Sequence, residues 1–364
     1  MLKLRASLGY LGNISFEPYQ ALTMYTSLAG LNYIKGIGAV PMGIGNKNLK
    51  WERTLSANLG LDLTMFKGRW DFSADVYVKN TDNLLLDITK APSLGITTSR
   101  ENVGEVENHG FEFQTRVIPI KNKDWEWSLS LNYAYNKNKI KKISNALREQ
   151  NEKNQAKGGV TPLPIYEEGQ SLTALKVVSS AGIDPITGNE VFIKRDGSLT
   201  FVYDPNDKVV YGDTTPFGMG SIGSYLTYKQ FSMGMSMRYS FGGAVYNQTL
   251  ASKVEGADPR YNADERVFSS RWKEVGQQAK YKRISDSSVP MQTSRFVETN
   301  NYITLSSLSL AYEVPLTFIK RYGLKRLHLE MLANDLFYLS SVKRERGLSY
   351  PYERSVEFSV RLGF

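Results

Sequence analysis

The chain lacks cysteine altogether and has only two histidines in 364 residues. Without thiols there is no disulfide scaffold, no Cys-ligated zinc or iron–sulfur centre and no thiol nucleophile. Two histidines leave no room for a multi-His metal site. No stretch approaches the roughly 18 consecutive apolar residues of a membrane-spanning helix. That excludes a helical membrane protein but not a β-barrel, which places its apolar residues at every second position. The net charge of +9 is spread over both signs, with no long Lys/Arg run and no nucleic-acid-binding motif, so no nucleic-acid partner is expected. The first residues, MLKLRASLGYLGN, do not read as an export signal.

What the sequence has instead is alternation. In Ser355–Phe364, Val356, Phe358, Val360, Leu362 and Phe364 share one face, and Ser355, Glu357, Ser359, Arg361 and Gly363 share the other. The same period of two runs through Leu2–Tyr10, Thr54–Met65, Trp70–Lys79, Phe111–Val117 and Trp127–Asn136. It returns in Met219–Thr227, Phe231–Tyr239, Leu308–Tyr312 and Leu327–Ala333. These are about ten strands, most of them near the length needed to cross a bilayer at a tilt. Their polar faces carry Asp62, Asp71, Asp75, Glu112, Arg116, Arg238, Glu330 and Arg361, too charged for a sandwich core. A soluble sandwich with those residues outward is the alternative. Trp51, Phe66, Trp70, Trp125, Trp127, Tyr133, Tyr135, Tyr228, Phe231, Tyr239 and Tyr312 cluster near strand ends, as in lipid-interface girdles, and favour the membrane barrel.

Short turns at 66–69, 119–124, 228–230 and 315–325 alternate strictly with long connections at 11–50, 81–101, 137–218, 241–300 and 335–354. Outer-membrane barrels have short periplasmic turns and long extracellular loops. The first strand should then run outward, and Phe364 should end on the periplasmic side. Within the loops, residues 145–159 read as a mobile polar segment. Glu190–Ile193 and Leu199–Tyr203 read as a hairpin with Asp196-Gly197 at its tip, outside the membrane.

The order of these segments carries a resemblance. LKLRASLGYLGN (2–13), NLKWERTLSANLGLDL (48–63), DFSADVYVKNTDNLLL (71–86) and NVGEVENHGFEF (102–113) follow one another along the chain. WSLSLNYAYNKNKI (127–140), AGIDPITG (181–188), Arg271-Trp272 and YPYERSVEFSVRLGF (350–364) complete the series. Together they resemble, over nearly the whole chain, the C-terminal barrel region of SusC/RagA-type TonB-linked outer-membrane transporters of the Bacteroidota. The resemblance implies a transmembrane antiparallel β-barrel of 22 strands, of which residues 1–364 would supply about the last ten, without the plug domain. It implies a Gram-negative outer-membrane location and import of glycan oligomers or peptides. The implied partners are a SusD-like surface lipoprotein, the barrel-assembly machinery, outer-membrane lipid, and TonB with its inner-membrane partners acting through a missing N-terminal part. Such a fragment, from a truncated gene or split frame, would not perform energised transport alone. An autonomous ten-stranded pore is the alternative, and a ten-stranded outer-membrane hydrolase a further one.

Individual residues are read in that frame. Phe364, with Leu362, Val360 and Phe358 on its face, is the expected barrel-assembly signal, acting by strand addition. His109 lies near Glu107 on the same face, and His328 alternates with Leu327 and Leu329, facing the lumen. Neither belongs to a triad or zinc motif, so no catalytic residue, metal or cofactor is expected. Asp184, Glu190, Asp196, Asp204 and Asp207 do not have calcium-loop spacing. Gly218, Gly220 and Gly223 are expected to mark a bend or bulge in the wall rather than a phosphate loop. Tyr19, Tyr25, Tyr33, Tyr246, Asn247, Tyr261 and Trp272 are the candidate ligand or partner contacts in the loops, with packing of the loops on one another as the competing role.

Overall fold

The computed structural model describes residues 1–14, 22–33, 36–258, 260–343 and 354–364. Its main feature is one ten-stranded antiparallel sheet. In order across the sheet the strands are β1 (Leu2–Asn13), β4 (Glu52–Met65), β5 (Trp70–Thr89), β6 (Thr98–Lys121) and β7 (Trp125–Ile143). They are followed by β12 (Gly218–Tyr228), β13 (Phe231–Tyr246), β14 (Val297–Glu313), β15 (Arg326–Ser340) and β16 (Ser355–Gly363). Each strand pairs with its neighbours in chain order. The sheet is open: β1 pairs only with β4, and β16 only with β15, among the described residues. An open edge on both sides does not fit a barrel closed by these ten strands alone.

The strands of the notional apolar alternation are all present, but most run further. β5 continues through Thr89 and β6 starts at Thr98, so much of 81–101 is paired strand rather than loop. β7 continues to Ile143 and β13 to Tyr246, each past the point where the apolar–polar alternation stops. In these extensions apolar residues such as Ile88 and Val103 are buried against helix α1 and exposed positions such as Lys137 and Lys139 are charged, so hydrophobic periodicity fades while backbone pairing does not.

A folded outer module stands on the end of the sheet opposite the short turns. It contains β8 (Ala174–Ile183), β9 (Glu190–Ile193), β10 (Leu199–Thr200) and β11 (Lys208–Asp213), ordered β10-β9-β8-β11. The expected hairpin is there, with Leu199 opposite Ile193 and Thr200 opposite Phe192, but its second strand stops at Thr200 rather than reaching Tyr203. A separate hairpin joins β2 (Met24–Tyr33) to β3 (Gly36–Gly43). Residues 145–159 are not a mobile segment: Asn145–Ala156 form helix α1. Ser144 caps it by accepting from the Leu147 amide, and Leu147 buries against Ile88 and Val103. Asn151 and Asn154 are buried and donate to the carbonyls of Tyr166 and Pro164. The helix is held by these side-chain-to-backbone bonds, which composition alone does not reveal.

The glycines of β12 do not mark a bulge in the wall. The register of β12 is continuous against both β7 and β13. At Gly220 a Cβ would lie 1.9 Å from the Asn132 carbonyl oxygen and 2.6 Å from the Tyr239 hydroxyl. Glycine there leaves room for the Tyr239 hydroxyl to reach across β12 and donate to Asn132 O at 2.7 Å.

Lumenal wall and outer module

The two faces of the large sheet differ in chemistry. On the apolar face, aromatic side chains gather at two levels. Near the short turns, Phe66 stacks on Trp70, Trp125 meets Tyr228 at 4.1 Å and Phe231 meets Tyr312 at 4.4 Å between ring centroids. Near the other end, Phe111 lies 5.5 Å from both Tyr133 and Tyr135, and Tyr239 lies 5.5 Å from Phe241. Phe231 to Tyr239 inclusive is nine residues of β13, about the length of a tilted strand that crosses the hydrocarbon core. That separation matches an apolar band flanked by two interfacial girdles. Between them Leu59, Val76, Met233, Leu310 and Leu329 remain exposed, as lipid-facing residues would.

The other face is polar and laterally connected. Arg5 donates to Asp62 on β4 (2.8 Å) and to both carboxylate oxygens of Asp75 on β5 (2.9 and 2.8 Å). Gly60 lies between Arg5 and Asp75 in register. A Cβ on Gly60 would sit 2.5 Å from Asp75 Oδ1 and 2.7 Å from Arg5 Cζ, so only glycine lets the arginine span β4. Further along, Arg361 donates to Glu330 at 2.9 Å, and His328 Nδ1 lies 2.9 Å from Glu313, on the lumenal side as expected. Asp75, Glu112, Gln114, Asn132, Arg238 and Tyr302 border a hollow in this face. Tyr302 stacks on Tyr338 with centroids 5.6 Å apart. Among the described residues, Glu112 and Arg238 have no hydrogen-bond or ion-pair partner. His109 is half-exposed, 3.6 Å from Glu107, which is itself paired with Lys141 at 2.7 Å. No group of three or more metal-ligating side chains occurs among the described residues.

The outer module is built around a buried ion triad that sequence reasoning missed. Arg295 holds Glu190 through two bonds of 2.7 Å and Glu255 through bonds of 2.8 and 2.7 Å. Burial opposes the Arg295 charge, but the hydrogen bonds and charges of the two glutamates outweigh it and hold its proton more firmly than usual. Arg271 is buried and donates to the carbonyls of Val267, Val254, Glu255 and Lys282. Lys208, also buried, donates to the carbonyls of Asn154, Gln155 and Lys157 at the end of α1. The triad joins residues 40 and 105 positions apart, so no local motif could announce it.

The loop candidates separate into two groups. Tyr246 packs on Phe296, and burial raises its hydroxyl pKa. Asn247 is buried and donates to Glu298 at 2.6 Å, and Trp272 donates its indole N–H to the Pro185 carbonyl at 2.9 Å. These three engage the module itself. Tyr25 and Tyr261 are exposed. Tyr19 lies outside the described residues, and Tyr33 is placed only as part of β2. Phe358, Val360, Leu362 and Phe364 are all exposed, and the first three lie on the apolar face of β16.

A two-faced sheet with aromatic girdles and a polar wall defines an outer-membrane β-barrel protein. Residues 2–330 match the family described as TonB dependent receptor-like, beta-barrel, and the chain belongs to that family. It is 30% identical to TonB-dependent receptor P3 of Formosa agariphila over 356 residues, covering 92% of this chain and 34% of that protein. It is 31% identical to TonB-dependent receptor SusC of Bacteroides thetaiotaomicron over 57% of this chain and 21% of that protein. Among solved structures, the RagAB peptide transporter superposes with a TM-score of 0.79 at 22% identity, covering 94% of this chain and 37% of that one. The chain therefore spans between about a fifth and a little over a third of the length of these relatives, and is a SusC/RagA-like part of a Gram-negative outer-membrane barrel of the Bacteroidota.

Proposed function

We propose that this chain forms one side of the barrel wall and part of the outward-facing surface of a TonB-linked importer of glycan oligomers or peptides. In this reading the short turns face the periplasm and the outer module faces the medium. A SusD-like lipoprotein covers the outer loops, and TonB supplies the energy through parts of the protein beyond residues 1–364. Phe364, Leu362, Val360 and Phe358 serve as the assembly signal, and the exposed Tyr25 and Tyr261 are available for ligand or partner contact.

The observation that carries the reading is the hollow in the polar wall. It lies level with the outer girdle, and its free Glu112 and Arg238 border it from β6 and β13, in adjacent lumenal rows, with Ala134 opposite Glu112 and Ser221 opposite Arg238. A purely structural wall would pair those charges, as it pairs Arg5 with Asp62 and Asp75. Free charge of both signs beside a stacked tyrosine pair suits zwitterionic or polyhydroxylated solutes.

The test uses the full-length transporter in cells given a defined mixture of maltooligosaccharides and casein peptides, with depletion followed by mass spectrometry. Glu112→Gln combined with Arg238→Gln should slow depletion at unchanged surface abundance, and loss of TonB should abolish it. Depletion independent of both would contradict the reading.

A further inference from the structure

We propose that Lys137 and Lys139, with Lys141 beside them, bind the phosphate groups of lipid headgroups in the outer leaflet. The proposal rests on the orientation given above, with the outer module facing the medium.

Trp127, Leu129, Leu131, Tyr133 and Tyr135 lie on the lipid-facing side of β7, and the same side continues as Lys137, Lys139 and Lys141. All three lysines are exposed, whereas the intervening Asn138 and Ile140 are buried. Asn138 turns inward and accepts from Ser171 and from the Leu172 amide. The opposite side of this stretch is thus covered by the outer module, and the lysines are left on the side that faces the bilayer.

Their height is fixed by the girdle. Tyr135 stands against Phe111, with centroids 5.5 Å apart, and Lys137 follows two residues later. Two residues of strand are about 7 Å. Interfacial tyrosines sit at headgroup level, so the Lys137 ammonium one step beyond Tyr135 reaches the phosphate layer, and that of Lys139, about 13 Å along the tilted strand, reaches it with its alkyl stem laid back towards the girdle.

The charge of the patch is not compensated within the protein. On β6, His109 lies opposite Lys137 and Glu107 opposite Lys139. Glu107 is committed to Lys141 at 2.7 Å, with His109 3.6 Å away. Among the described residues Lys137 and Lys139 have no hydrogen-bond or ion-pair partner. Three lysines against one carboxylate leave two positive charges facing a membrane surface. The continuity of the row with the lipid-facing aromatics selects lipid over a soluble anionic partner.

The experiment titrates the purified full-length transporter, in neutral detergent, with diphosphoryl lipid A and with the same glycolipid after dephosphorylation, counting bound lipid by native mass spectrometry. A surface lysine is worth about fivefold in binding to anionic lipid. Lys137→Gln and Lys139→Gln should each weaken retention of the phosphorylated form about fivefold. Lys67→Gln, in the turn at the other end of the sheet, should leave it unchanged. Equal retention by wild type and both variants, or equal retention of the dephosphorylated glycolipid, would overturn the proposal. Heat-modifiable migration in gels confirms that each variant is folded. A membrane-impermeant thiol reagent applied to intact cells carrying Asp196→Cys separates the two levels. No labelling overturns the orientation and this proposal with it, whereas labelling without selective retention overturns this proposal alone.

Discussion

Arg295 meets Glu255 at 2.7 Å inside the outer module, where the glutamate side chain is fully buried. The same guanidinium holds Glu190 at the end of the small sheet, so one side chain ties β9 to the segment after β13. Removing one partner of a buried ion pair leaves uncompensated charge and costs about 3–5 kcal/mol. Arg295→Met should therefore loosen the module while the membrane-embedded sheet stays folded. Limited trypsin digestion of the full-length protein in membranes should cut between residues 247 and 296 in the variant first. An unchanged cleavage pattern would show that the triad does not hold the module together.

The face assignment makes a paired prediction. Leu310 faces lipid and Ala311 faces the lumen, one residue apart on β14. An arginine on the lipid face of a barrel strand costs about 2–4 kcal/mol at the midplane and about 0–1 near the interfaces, and Leu310, two residues from the girdle residue Tyr312, lies between those limits. Leu310→Arg should lower the denaturant midpoint for unfolding from lipid by a corresponding amount, and Ala311→Arg should change it little. Equal effects would mean that the two faces are not in different solvents.

Asp286 supplies a pH prediction outside the membrane. Burial opposes its charge, but the Ser288 hydroxyl and amide and the Lys282 ammonium outweigh that and hold its pKa at about 2. An unfolded aspartate titrates near 4. A depressed carboxylate contributes stability that is complete above the unfolded pKa and is lost as pH falls through the folded one. The difference in thermal midpoint between wild type and Asp286→Asn should thus be constant above pH about 4 and close towards pH 2. A difference that stays constant to pH 2 would contradict the assignment.

Phe364 ends a row of exposed apolar residues on an edge strand, Phe358, Val360 and Leu362 preceding it. Deleting it from the full-length transporter should reduce insertion, measured as the fraction of heat-modifiable protein in outer-membrane preparations. Insertion at the wild-type level would remove the assembly role.

These features were unequally legible in the sequence. The membrane-crossing parts of the strands could be read because each residue there faces either lipid or water, and the side-chain period of two makes that choice visible. Leu55 to Met65 and Phe231 to Tyr239 needed nothing else. Beyond the girdles the apolar side chains pack beneath helix α1, as Ile88 and Val103 do against Leu147, instead of lining one lipid face, so the extensions of β5 to Thr89 and of β6 from Thr98 left no regular alternation to read. Helix α1 was hidden for a related reason: its anchoring asparagines, Asn151 and Asn154, are buried by hydrogen bonds to backbone carbonyls rather than by apolar contact. The inward charges Asp75, Glu112 and Arg238 were visible as polar-face residues. Their different fates, Asp75 paired and Glu112 free, depend on whether Arg5 can reach across Gly60, which only the register decides.

One face of the ten-stranded sheet meets lipid and the other an aqueous lumen. Spin labels placed singly at positions 231–239 of the full-length transporter in membranes test it most directly. Oxygen, which partitions into lipid, should relax labels at the odd positions, and a water-soluble nickel complex those at the even positions, with a period of two throughout. Reversed phase, or equal accessibility at both sets of positions, would contradict the account.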